Sequence, residues 1–300
     1  MGPGWVAGAV RGRALAGRRL GAEGVTMLGD ARDLGAASAY LARTSYGPRP
    51  GPGASLVEAR RAVGDAALWN LRVLAGWLPP MGGEVVRVVA GWFEVQNLIQ
   101  HALRLGSVSP GEPPYELGAL EVVWGSARPT RTLDDLAGVL RTRGWGDPRD
   151  ADLESVLHAI VAGWGRRLAD GPTNRPRWGE ALIAIEVAKS LLVDPARPLG
   201  WHDRLVPSDV EGIGSVAELA SVLPREASWV LDGIQDLREA EPKWWDVVGR
   251  EAEAGLTGRS MDRAAVVCAG MALVVDAHRV QGLLGAAWRR GGAGEGHAVA

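Results

Sequence analysis

Apolar positions recur with helical spacing along most of the chain. In residues 154–168 they fall on one stripe, and residues 84–105 and 262–288 repeat that pattern over longer stretches. No segment sustains the period-two alternation that is typical of β-strands. We therefore predict an all-α fold. The Gly- and Pro-rich clusters that predict turns between the helices are 47–53, 110–114, 171–176 and 194–198.

Three nine-residue segments resemble one another: DLGAASAYL (33–41), TLDDLAGVL (132–140) and SVAELASVL (215–223). Each begins with Asp, Thr or Ser, which cap helix N-termini by accepting a hydrogen bond from the first turn. The second and third copies also carry an acid three positions later, as in a capping box. The spacing predicts a short capped helix that opens each of three helical repeats. The repeats span residues 1–110, 111–205 and 206–300.

An aromatic residue followed by glycine comes after the first two of these segments, at Tyr46–Gly47 and Trp145–Gly146. Glycine adopts the left-handed conformation that often ends a helix. We therefore expect Gly47 and Gly146 to end their helices in that conformation.

The helix predicted over 84–105 has an apolar face and an opposite polar stripe. Arg87, Glu94 and His101 are spaced seven residues apart and share that stripe. Two interpretations remain open: a stripe that faces water, or a surface that docks on another protein.

A dense basic cluster near the N-terminus is formed by Arg11, Arg13, Arg18 and Arg19. It can be a solvated helix start, or it can contact an acidic partner surface or lipid headgroups. These four arginines, with the polar stripe, are the candidate partner interface.

Composition limits the possible function classes. The chain has 33 basic and 35 acidic side chains, a balance that argues against nucleic-acid binding. Cys268 is its one cysteine, so no intramolecular disulfide can form, which fits a reducing compartment. The longest apolar run, 264–275, is too short to cross a membrane and predicts a buried helix. Arginines interrupt any signal-peptide core near the N-terminus.

The sequence contains no convincing catalytic or metal motif. Glu154 and His158 are four residues apart on a helix, which predicts a surface pair rather than a metal site. Asp134 and Asp135 could begin the Mg²⁺-binding motif of an all-α terpenoid synthase, but no third carboxylate follows one turn later. The pair suits the positive end of a helix dipole better. We expect no catalytic, cofactor-binding or metal-binding residues, and no enzymatic activity.

Five segments together resemble a known family: VRGRALAGRRLG (10–21), LARTSYG (41–47), RVVAGWFEVQNLIQHALRL (87–105), KWWDVV (243–248) and VVDAHRVQGLLGAAWRRGG (274–292). The chain is similar, over about residues 8–290, to the rotor subunit of V-type and A-type ATPases. That subunit is called C in archaeal and bacterial complexes and d in eukaryotic ones. The order and spacing of the segments carry the resemblance, since no single motif is specific.

The resemblance implies an all-α funnel of three similar helical-bundle domains around a pseudo-threefold axis. It also implies a non-catalytic role, with one copy per complex on the cytoplasmic side of the plasma membrane. The subunit would link the central stalk to the membrane rotor ring, coupling ATP hydrolysis or synthesis to proton or sodium transport. Two alternatives remain: a stand-alone helical scaffold, and a Mg²⁺-dependent enzyme of terpenoid-synthase type.

Overall fold

The computed structural model describes residues 2–47, 51, 53–148, 150–193, 204–206 and 212–295. These residues contain helices and connecting turns but no strand, so the predicted all-α class is confirmed. The predicted turn at 194–198 lies outside the described residues, as does most of 47–53. The helices are α1 (Pro3–Ala16), α2 (Gly21–Gly29), α3 (Leu34–Leu41), α4 (Leu56–Gly76), α5 (Pro80–Leu105), α6 (Trp124–Ala127), α7 (Leu133–Thr142), α8 (Leu153–Asp170), α9 (Pro176–Val193), α10 (Val216–Val222), α11 (Arg225–Ser228), α12 (Ala240–Thr257) and α13 (Arg263–Glu295).

The chain divides into two compact units. Unit 1 consists of Met1–Val86, Tyr115–Leu117 and Glu251–Ala300, and unit 2 of Arg87–Pro114 and Gly118–Arg250. Unit 1 therefore joins segments from both halves of the sequence. The predicted threefold division of the sequence, with boundaries after residues 110 and 205, concerns a duplication and stays a prediction.

Helix α13 forms the core of unit 1. It packs against α1, α2, α3 and α4. Its 33 residues give it a length of about 50 Å. Among the described residues it is the one helix long and apolar enough to span a membrane, but 83% of its most apolar window is buried inside the protein. That burial is typical of a core helix.

Tryptophans fill the core of unit 2, where α8 packs on α9. The indole Nε1 of Trp164 donates a hydrogen bond to the carbonyl oxygen of Val88 at 2.8 Å. The ring centroids of three other tryptophans lie 5.5 to 6.1 Å from that of Trp164: Trp92, Trp244 and Trp245. Four tryptophans are completely buried in the described residues: Trp145, Trp164, Trp178 and Trp244. Large rings at van der Waals contact give unit 2 a stiff interior.

The three predicted capped helices are present as α3, α7 and α10. The cap side chains accept the expected backbone hydrogen bonds: Asp33 from Ala36 (2.7 Å), Thr132 from Asp135 (3.1 Å) and Ser215 from Glu218 (3.2 Å). The acid in the third copy differs from a capping box in one respect. The Glu218 carboxylate accepts from the N–H of Gly214, one residue before the cap, at 2.8 Å.

Neither of the two predicted glycines, Gly47 and Gly146, ends its helix. Gly47 has the predicted left-handed conformation, with a φ of +78°, but α3 ends six residues earlier at Leu41, and its C-cap Ala42 is right-handed. After α7 the left-handed residue is Gly144, with a φ of +62°, and not Gly146. A Cβ on Gly146 would lie 2.5 Å from the carbonyl oxygen of Ala159, so this glycine permits a close approach between backbones instead.

Candidate functional site

The predicted polar stripe of α5 faces a later segment of the same chain. Glu94 and His101 are buried, with 1% and 3% of their surface exposed, so a stripe facing water is wrong for both. One carboxylate oxygen of Glu94, Oε1, accepts three backbone hydrogen bonds, from Val122 (2.9 Å), Val123 (2.7 Å) and Trp124 (2.7 Å). These N–H groups lie just before α6 or at its first residue. No preceding helical turn offers them a carbonyl acceptor. Burial raises the pKa of Glu94, and the three N–H groups oppose that rise.

The other two stripe residues bind the same segment. The His101 ring contacts the Thr130 hydroxyl through Nε2 at 2.8 Å and the Arg104 guanidinium through Nδ1 at 2.6 Å. Burial and the Arg104 charge both lower the pKa of His101. The Nε of Arg87 donates to the carbonyl oxygen of Ala119 at 2.9 Å. The seven-residue spacing therefore marks a polar seam between α5 and residues 119–130.

Two of the four N-terminal arginines form hydrogen bonds or ion pairs with other residues of unit 1. The guanidinium of Arg13 donates to three carbonyl oxygens in the last turn of α12 and just beyond it: Leu256 (3.0 Å), Gly258 (2.7 Å) and Ser260 (2.6 Å). Arg19 forms an ion pair with Glu253 at 2.8 Å. Arg11 lies over the ring of Trp77, 5.7 Å from its centroid, and Arg18 is exposed. Of the four arginines, Arg18 is therefore the most exposed residue.

The outer face of α1 is apolar and uncovered. Val6 is 41% exposed and Val10, one turn later, is 53% exposed. Ala14, one turn after Val10, is exposed as well. The opposite face of the helix is buried against α13 and α4. Exposed apolar side chains that lie next to one another often mark an interaction site, so this outer face is a candidate interaction surface.

A buried carboxylate joins three of the segments that carry the family resemblance. Oδ2 of Asp276, on α13, accepts hydrogen bonds from the Tyr46 hydroxyl (2.5 Å) and the backbone N–H of Leu20 (3.1 Å). Asp276 is only 4% exposed. Burial raises its pKa, and the hydrogen bonds from Tyr46 and Leu20 act in the opposite direction. One side chain thus holds segments 10–21 and 41–47 to segment 274–292.

A cavity of about 360 Å³ lies within unit 2. Its apolar wall consists of Trp92, Ile99, Leu157, Val161, Leu182 and Trp245. Its charged and polar wall consists of Glu154, His158, Glu186, Lys189 and Glu241. A volume in this range, with an apolar wall and a few polar groups, is typical of sites for small molecules.

His158 and Glu186 form a hydrogen-bonded pair in this wall. The His158 Nδ1 lies 2.6 Å from a carboxylate oxygen of Glu186, which is 2% exposed. Burial alone would raise the pKa of Glu186, but the hydrogen bond from His158 and the nearby charge of Lys189 lower it. An ionised carboxylate only accepts hydrogen bonds, so Nδ1 is the donor. In a neutral ring Nε2 then carries the lone pair.

The predicted surface pair of Glu154 and His158 is wrong in its location. His158 is 9% exposed, and its close partner is Glu186 on α9 rather than Glu154. Glu154 stands 3.7 Å from the His158 Nε2, beyond hydrogen-bond distance. Within the described part of the chain that Nε2 is buried and has no hydrogen-bond partner.

The remaining charged groups leave the cavity wall acidic. Lys189 donates to Glu186 at 2.7 Å and lies 3.9 Å from Glu241. The three carboxylates therefore face a single lysine. No group of three or more His, Cys, Asp or Glu side chains among the described residues is arranged to hold a metal ion.

A second cavity, of about 270 Å³, lies against the His101 end of α5. Its polar wall includes Gln100, His101, Arg104 and Arg128. The guanidinium of Arg104 is already bonded to His101, and the carboxamide of Gln100 accepts from the backbone of Glu112 at 3.1 Å. Gln100, His101 and Arg104 are therefore already engaged within the protein.

Comparison with known proteins shows a partial similarity. No family model matches the chain. It is 34% identical over 91 residues to the probable endonuclease 4 of Moorella thermoacetica. The aligned stretch is 30% of this chain and 32% of that protein, so the chain spans about a third of the length of this relative. A match of that extent does not place the chain in a family.

Proposed function

We propose that this protein is the rotor subunit of a V-type or A-type ATPase. In this role it would bind the central stalk and the membrane rotor ring, and would couple ATP hydrolysis or synthesis to the transport of protons or sodium. It would act without catalytic residues, as a single copy on the cytoplasmic side of the plasma membrane. The threefold funnel of helical bundles belongs to the same proposal.

The contact of three resemblance segments at Asp276 is the observation that carries this proposal. Segments 10–21 and 41–47 are more than 220 residues from Asp276 in sequence, yet both donate to its carboxylate. Scattered chance matches have no reason to meet at one buried side chain. The convergence supports treating the segments as parts of one inherited framework.

The apolar outer face of α1 supplies the partner surface that such a role needs. A coupling subunit must hold other proteins under load, which requires broad contacts and a stiff body. The exposed valines Val6 and Val10 fit the apolar centre of an interface, and Arg18 lies just beyond the C-terminal end of α1.

The test is affinity purification of the tagged full chain from cells that contain a V-type or A-type ATPase. We expect stalk and ring subunits to co-purify with the tagged chain. Val10→Glu should abolish or strongly reduce their recovery, because it places a charge in the apolar face. Val108→Glu, at a valine that is 65% exposed in unit 2, is the matched control and should leave recovery unchanged. Purification of the chain free of all ATPase subunits would overturn the proposal.

The partial similarity to a probable endonuclease favours a second candidate, cleavage of nucleic acid. Incubation of the purified chain with supercoiled plasmid and Mg²⁺, Mn²⁺ or Zn²⁺ tests it directly. If nicking activity co-purifies with the protein, cleavage of nucleic acid would replace the rotor role as the proposed function. Without nicking and without ATPase subunits, the stand-alone helical scaffold would become the leading interpretation.

A further inference from the structure

The cavity in unit 2 has features that the rotor proposal does not use. Its wall holds a buried imidazole nitrogen, Nε2 of His158, with no hydrogen-bond partner in the described residues. A buried polar atom of this kind costs free energy unless a ligand or water satisfies it. Glu154 Oε1, the nearest carboxylate oxygen, is 3.7 Å away. When the His158 ring is neutral, its Nε2 and the Glu154 Oε1 are both hydrogen-bond acceptors. A ligand that donates hydrogen bonds and lies between them would satisfy both atoms.

We propose that this cavity binds a small organic ammonium ion. Its N–H groups bridge the His158 Nε2 and the Glu154 carboxylate, and its apolar body lies against Trp92 and Trp245.

The charge of the wall selects a cation. Lys189 and Glu186 are paired at 2.7 Å and offset one another. Glu154 and Glu241 then remain as two acidic groups at the rim, with side chains 56% and 44% exposed. An anion would be repelled by both. A neutral alcohol could donate to His158 but would gain nothing from the carboxylates.

The apolar wall favours an organic cation over a metal ion. Trp92 and Trp245 stand with ring centroids 4.8 Å apart at an interplanar angle of 73°, and both line the cavity. Tryptophan rings cover the apolar body of a ligand, and a bare metal ion has no such body. Ile99, Leu157 and Val161 are only partly buried and extend this wall. A hydrocarbon body bearing an amine matches both halves of the cavity.

Isothermal titration of the full chain with three probes of matched size tests the proposal. Phenethylammonium carries the charge, 2-phenylethanol is its neutral counterpart and phenylacetate is the anion. We expect saturable binding of phenethylammonium with a dissociation constant below about 1 mM, and at least about tenfold weaker binding of the other two. Equal binding of the alcohol, or no saturable binding of the amine, would overturn the proposal.

A matched pair of variants locates the site. Glu154 and Glu226 both stand in the first turn of a helix, α8 and α11, and only Glu154 lines the cavity. Glu154→Gln should weaken phenethylammonium binding by about fivefold, whereas Glu226→Gln should leave it unchanged. Equal effects of the two substitutions would show that the amine binds elsewhere and would refute the site.

Two further measurements strengthen the test. The ¹⁵N resonance of the His158 Nε2 should shift on titration with phenethylammonium, and an unchanged resonance at saturation would contradict the bridging geometry. Nα-acetyl-lysinamide presents the same ammonium on an aliphatic stem. Tighter binding of this probe than of phenethylammonium would support the ammonium site and would identify a lysine side chain of a partner protein as its source. All of these readouts are independent of ATPase assembly.

Discussion

Substitution of Glu94 tests the buried seam between α5 and residues 119–130. Glu94→Ala removes the one oxygen that accepts from Val122, Val123 and Trp124. Two of these hydrogen bonds are fully buried and the third is partly buried. An unsatisfied buried donor costs about 1–3 kcal/mol. The alanine variant no longer carries the cost of burying a carboxylate, which offsets part of that loss. We expect Glu94→Ala to lower the free energy of unfolding by about 3 kcal/mol.

Glu94→Gln separates the hydrogen bonds from the charge. The amide keeps an acceptor oxygen for the three N–H groups, so the expected loss is only about 1 kcal/mol. Glu226→Ala, at an exposed glutamate of unit 2, is the control and should stay within about 0.5 kcal/mol of the parent. Urea unfolding followed by tryptophan fluorescence and far-UV circular dichroism measures all three. If Glu94→Ala and Glu94→Gln cost the same, the three hydrogen bonds to the acceptor oxygen are not the cause of the loss. If neither costs more than the control, the seam does not stabilise unit 2.

Three further predictions concern single side chains. Tyr46→Phe should cost about 1–2 kcal/mol in urea unfolding, because a buried carboxylate loses its O–H donor; Tyr40→Phe, which removes a hydroxyl outside that cluster, should cost much less. Gly163→Ala should cost at least about 2 kcal/mol, because its Cβ would overlap a backbone carbonyl, whereas Gly138→Ala should be neutral or stabilising by up to about 1 kcal/mol, since nothing lies within 4 Å of its Cβ; a similar cost for both would refute the argument. Burial and a neighbouring arginine lower the pKa of His278 to about 4, so its contribution to stability is complete above about pH 6.5 and is lost between pH 6.5 and 4. We therefore expect the free energy of unfolding to fall between pH 7 and pH 4.5 in both proteins, and by about 2–3 kcal/mol less in His278→Gln than in the parent. An equal fall in the two proteins would contradict the lowered pKa of His278.

Local features were predictable from the sequence because local physics determines them. The caps at Asp33, Thr132 and Ser215 depend on contacts three residues away, and all three formed as expected. The helical class followed from apolar spacing alone. The left-handed glycine after α7 was misassigned because two glycines, Gly144 and Gly146, compete within three residues, and the choice between them depends on a neighbouring helix.

Non-local features were beyond the reach of the sequence pattern. The spacing of Arg87, Glu94 and His101 identified a real polar seam, but a periodic pattern cannot show whether water or protein covers it. His158 was assigned to the surface because its partner Glu186 is 28 residues away on another helix. A polar residue whose hydrogen-bond partner is a packed neighbour has the same appearance in a sequence as one that is hydrogen-bonded to water.

The composition of unit 1 from both halves of the sequence has a consequence for biosynthesis. Helices α1 to α4 leave the ribosome early, whereas α13, the helix on which they pack, begins 187 residues after α4 ends. Until then the apolar sides of these helices have no permanent cover, while most of unit 2 is already available to collapse. Ribosome-bound chains that are arrested before α13 is translated should therefore expose apolar surface and bind holdase chaperones. Release of those chaperones should coincide with the emergence of α13.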